Sequence, residues 1–154
     1  MKAFIIASSI LIVFIATAIA ADLPTGEKTG FIEGHLVYPS DGVPSDMKIY
    51  AENISTGKTY VMPLSDLNDP NTFTDKTEYR IKVPVGNYYV YSMTNHVKGK
   101  EDYRAYYSEF VTCGLKANCT SHEPIKVSVR ADKSANNIDP VDWYDSENRY
   151  RGKH

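Results

Sequence analysis

"YRIKVPVGNYYVYSM", residues 79–93, places four tyrosines around a Pro-Val-Gly break. Before the break, Tyr79, Ile81 and Val83 alternate with Arg80 and Lys82, the pattern of a strand with one wet face. Pro84 has no amide hydrogen for a ladder and closes that strand. Gly86 permits a turn. Tyr88, Val90 and Ser92 then alternate with Tyr89, Tyr91 and Met93, so the stretch reads as a two-strand hairpin and sets the fold class as β.

Neighbouring segments repeat the pattern. In 30–38, Ile32, Gly34, Leu36 and Tyr38 share a face opposite Phe31, Glu33, His35 and Val37. In 47–53, Met47, Ile49 and Ala51 oppose Lys48, Tyr50 and Glu52. "KTYVM" follows the Ser-Thr-Gly turn as a short strand, and 104–111 and 123–131 read as two more. Turn formers separate these runs, and no segment carries a helical period. The expectation is an all-β chain: a single seven-stranded antiparallel β-sandwich. Within the C-terminal stretch, Ile138, Val141 and Trp143 are placed to fold back on it. The domain is assigned to 30–145, after an extension at 21–29 and before a polar tail at 146–154.

Residues 1–20 stand apart. A lysine at position 2 precedes an apolar run ending Ala18-Ile19-Ala20, which fits a signal peptide cut after Ala20. An uncleaved anchor is the competing reading of the same run. Removing Lys2 with the leader takes the formal charge from −2 to −3. The expected product is exported, periplasmic or secreted, with no membrane span after cleavage. Charges of both signs are interspersed, which leaves no nucleic-acid footprint and no basic patch for an anionic membrane.

Cys113 and Cys119 are an even, close pair, which in an exported chain reads as a disulfide. So short a loop would add about 2 kcal/mol on the chain-entropy estimate. The alternative is a metal site with His122, for which zinc would need a further ligand or an open catalytic position. No metal or cofactor is expected. Residues 66–78 resemble a calcium loop only faintly, lacking the glycine at position 6. Asp66, Asp69 and Asp75 there, and Asp139, Asp142 and Asp145 in the tail, read as solvated carboxylates.

Several features together resemble the carboxypeptidase regulatory-like group of transthyretin-like sandwiches. They are Gly34 to Val37, Gly42 and Pro44, Thr56-Gly57, then Tyr79, Val83-Pro84, Gly86 and Tyr88. The resemblance covers roughly 30–93 and implies that Tyr88 points inward beside Tyr79. Tyr89 and Tyr91 then face the other way. These two, with Tyr103 and Tyr107, form the candidate binding surface, against a purely architectural reading in which they pack across strands. Modules of this group serve as accessory, adhesion and carbohydrate-binding units. The resemblance therefore implies a non-catalytic binding module for an envelope polymer, a saccharide or a protein partner. A structural subunit pairing through a strand edge is the second reading.

An enzyme of the same fold, 5-hydroxyisourate hydrolase, is similar in two places. His35 stands seven residues before Gly42, and Tyr150-Arg151-Gly152 resembles its closing motif. Lys153 replaces the expected serine, and no His-x-His lies near the end. No Gly-x-Ser-x-Gly occurs, and no Ser-His-Asp set can be named. No catalytic residue is assigned.

Overall fold

The computed structural model describes residues 26–40, 42–64, 73–74, 77–95, 97 and 102–147. Residues 1–20, read above as a signal peptide, Asp66, Asp69 and Asp75, and residues 148–154 lie outside them. Ten strand segments and one helical turn follow in order. They are β1 (Thr29–His35), β2 (Val43–Pro44), β3 (Lys48–Asn53), β4 (Thr59–Pro63), β5 (Phe73–Thr74) and β6 (Glu78–Pro84). Then come β7 (Gly86–Met93), β8 (Ala105–Tyr106), α1 (Glu109–Thr112), β9 (Val127–Val129) and β10 (Ser134–Ala135). The described residues are all-β apart from α1.

Two sheets carry the core. One is three-stranded, with β1 between antiparallel β6 and parallel β10. The other is five-stranded: β4, β3 and β7 in sequence, with β8 and β9 sharing the remaining edge of β7. β2 and β5 form a separate two-stranded ribbon. The alternation seen in the sequence decides what is buried. Ile32, Tyr79, Ile81 and Val83 of the first sheet join Ile49, Ala51, Tyr88, Val90, Val127 and Val129 of the second in one cluster.

The Pro-Val-Gly break is not a hairpin. β6 pairs with β1 and β7 pairs with β3, so residues 84–86 form a corner between sheets. The Val85 amide donates to Lys28 O at 2.9 Å, which draws the corner onto the start of β1. The Tyr88 hydroxyl donates to Pro84 O at 2.7 Å, four residues back, and braces the bend from inside. This is the arrangement of a tyrosine corner. Gly86 is required by closeness rather than by a left-handed backbone: a Cβ there would meet the Asn53 side-chain amide at 2.8 Å.

Two further expectations change. Residues 104–111 are not one strand. Ala105 and Tyr106 pair with β7, after which the chain turns into α1, a four-residue helix too short to leave a period in the sequence. The C-terminal stretch folds back as its apolar residues suggest, but two of its carboxylates are not solvated. Ile138, Val141, Asp142 and Asp145 are all buried. Among the bonds that hold this strap, the Tyr79 hydroxyl donates to Ile138 O, the Ser92 hydroxyl to Pro140 O, and the Trp143 indole to Val37 O. Gly34 makes the approach possible, because a side chain there would collide with the Ile138 carbonyl.

Candidate functional site

The four tyrosines expected to form one binding surface occupy different places. Tyr91 lies on the outer side of the five-stranded sheet yet is only 3% exposed. Its ring stacks on Tyr50 at 5.0 Å with an interplanar angle of 5°, and Tyr106 leans on it at 5.2 Å. The Arg104 guanidinium lies 4.6 Å from the Tyr91 centroid and is held by Glu52 at 3.3 Å. Burial pushes the Tyr91 phenol up to about 12, while the nearby Arg104 charge opposes the shift. Tyr89 is half-buried on the same side, in register with Glu52.

Tyr103 is buried and stacks on Trp143. Tyr107 is half-buried against the core. Neighbouring aromatic side chains engage the Tyr91 ring and cover it from solvent, so it offers no open stacking platform.

The cysteines form the expected disulfide, Cys113–Cys119. Three residues beyond it, His122 lies with Nδ1 2.9 Å from both carboxylate oxygens of Asp142. The Ser108 hydroxyl donates to the same carboxylate at 2.5 Å. These are the residue types of a catalytic triad in the wrong order. Nucleophilic activation needs the imidazole between hydroxyl and carboxylate, whereas here Asp142 stands in the middle. Phe110 of α1 stacks on His122 at 4.5 Å. The group works as a clasp, pinning the strap to the disulfide loop. Asp142, 2% exposed, was read from sequence as solvated; its burial is sustained by these two partners.

A cleft of about 530 Å³ lies elsewhere. β1 contributes Glu33, Gly34 and His35, and the paired residues of β6 contribute Arg80, Tyr79 and Glu78. Met62 of β4 adds apolar surface beside Tyr79, and Asn136 and Asn137 complete the rim just after β10. The rim is braced. Glu33 accepts from the Arg80 Nε and the Ser134 hydroxyl, both at 2.7 Å, and the Arg80 guanidinium lies 3.7 Å from the Phe31 ring centroid.

His35 occupies the far end of this rim. Its backbone amide donates to Asp139 at 2.7 Å, while its ring nitrogens stand 3.7 Å from Glu78 and from Asp139. Those ring contacts exceed hydrogen-bonding distance. The Tyr150-Arg151-Gly152 motif lies outside the described residues. Among the described residues, no three His, Cys, Asp or Glu side chains are grouped to hold a metal ion. None of their helices is long and apolar enough to cross a membrane.

No family model, curated protein or solved structure matches this chain. Its chemistry is legible only in its own geometry. Of the cleft residues, sequence reading singled out His35 alone. Arg80 and Glu78 read as the wet face of a strand, and Asn136 and Asn137 carry no motif. The only available signal was that 33–35 and 78–80 are polar at matched positions of two strands.

Proposed function

We propose that this chain is an exported, non-catalytic binding module with a transthyretin-like sandwich fold, and that its cleft recognises a saccharide of the cell envelope. The observation that carries the reading is the cleft's composition. Apolar surface from Met62, with the edge of the almost fully buried Tyr79 at its base, is bordered by donors and acceptors of both kinds: the Asn136 and Asn137 amides, Arg80, Glu78 and His35. Sugar rings present an apolar face and a perimeter of hydroxyls that both donate and accept. Pockets of this kind combine apolar contact with a few placed polar groups. The volume falls within the roughly 300–1,000 Å³ of small-molecule sites.

The braced Glu33–Arg80 pair favours binding further, because little side-chain freedom is lost when a ligand docks. The clasp around Asp142 and the unanchored ring of His35 favour binding over catalysis.

The test is retention of the purified protein on insoluble cell-wall polysaccharide, with release by soluble sugars. The double variant Glu78→Ala with Asn136→Ala should weaken retention about tenfold, the loss of one or two hydrogen bonds to ligand. Tyr91→Phe should leave it unchanged. Retention that no sugar competes, or that survives the double variant intact, defeats the reading.

A further inference from the structure

A second, smaller cavity lies where the strap crosses the end of β1. Tyr38 and Trp143 line it with Pro39 and Val97, and the almost fully buried Tyr103 backs Trp143, around a half-open recess of about 120 Å³. We propose that this aromatic corner binds an alkylated ammonium group, of the size and charge of trimethylammonium.

Ring geometry is the first argument. Tyr38 and Trp143 meet at 78° with centroids 5.1 Å apart, and Tyr103 stacks nearly parallel to Trp143 at 5.9 Å. Aromatic walls at right angles suit a rounded cation, which is attracted to the negative faces of the rings. The walls are already fixed in place. The Trp143 indole is bonded to Val37 O at 2.7 Å, and Tyr103 donates to Asp142 O at 3.3 Å. Asp142 is itself held by the Ser108–His122 clasp.

Size and hydrogen bonding narrow the ligand. The volume is below the roughly 300 Å³ at which drug-sized pockets begin. The Trp143 N–H and the Tyr103 O–H are both engaged with backbone carbonyls, so they are not available to a sugar hydroxyl. A quaternary ammonium asks for no hydrogen bond.

Charge gives the sign. Among the described residues, no cationic side chain lines the cavity. Asp46 is fixed by the Thr94 hydroxyl at 2.6 Å and the Asn95 amide at 2.9 Å. After burial, its charge is the cause that raises the Tyr38 phenol. Burial first, then Asp142 and Asp145, likewise push Tyr103 up. The same carboxylates that disfavour a phenolate favour a cation.

Trp143 is the only tryptophan in the chain, so its fluorescence reports this corner alone. Titration with choline should give a saturable change. Its uncharged isostere, 3,3-dimethylbutan-1-ol, should bind about tenfold more weakly, the worth of a desolvated cation–π contact. Tyr38→Phe should keep choline binding and Tyr38→Ala should lose it. If Tyr38→Ala does not fold, the choline-to-isostere ratio in the unmodified protein still decides. Flotation with phosphatidylcholine vesicles, reversed by choline, would assign the head group to a lipid; choline binding without flotation would assign it to a soluble cation. Equal binding of the isostere, or no saturable change with choline, overturns the proposal.

Discussion

Tyr88 and Tyr91 lie three residues apart on one strand, are almost equally buried, and are stabilised by different means. Tyr88 faces the core, and its hydroxyl is committed to the Pro84 carbonyl. Tyr79, from the other sheet, does the same with Ile138 O. Tyr91 faces outward and is covered by Tyr50, Tyr106 and Arg104. Inner tyrosines thus join a packed ring to one obligatory backbone bond. Outer ones depend on ring contacts that solvent can partly replace. High tyrosine density here is two solutions to burial laid on opposite faces of a sheet.

The contrast can be broken most forcefully by truncation. Tyr88→Ala should cost about 3–5 kcal/mol, since it opens a core cavity and releases the corner. Tyr91→Ala should cost only about 1–2 kcal/mol, the scale of cross-strand aromatic pairing. Denaturant melts of both variants give the difference, and equal losses would erase the distinction. Removing only the hydroxyl sharpens it. Tyr88→Phe and Tyr79→Phe each strand a buried carbonyl and should lose about 1–3 kcal/mol, whereas Tyr91→Phe should be nearly neutral.

Alkaline pH provides a third probe. The folded Tyr91 phenol is raised to about 12 from its ordinary value of about 10. The neutral form is therefore favoured by folding. Its stabilising contribution is complete below pH about 10 and is lost as pH rises through about 12. Phenolate absorbance should lag behind that of free tyrosine over this window, and Tyr91→Phe should flatten the accompanying loss of stability. The smallest effect is expected of Glu52→Gln, which loosens Arg104 over Tyr91. It should cost about 0.5–1 kcal/mol, a difference that added salt narrows.

What the sequence made legible follows from local rules. Alternation put Tyr88, Val90 and Ser92 on one side, the resemblance implied that this side faces inward, and the inward tyrosine found a backbone acceptor. The apolar trio Ile138, Val141 and Trp143 announced a strap, and close cysteine spacing announced the bridge. The misses have physical causes. A Pro-x-Gly break looks the same whether the next strand pairs with the last or crosses to another sheet, since the choice belongs to β1 and β3. Asp142 looked solvated because its partners Ser108 and His122 are 34 and 20 positions away. Tyr91 looked available because alternation gives a side and not what covers it. The cleft was invisible for the same reason: β1 alone brings residues 33–35, 78–80 and 136–137 together.

The parallel pairing of β10 with β1 also bears on when the molecule can form. The His35 amide waits for Asp139, 104 positions later, and Gly34 is shaped for a carbonyl at 138. Almost the whole chain must exist before its first strand acquires both neighbours and its strap. Such long-range closure slows folding, and a chain stopped short of residue 134 would lack one side of its three-stranded sheet.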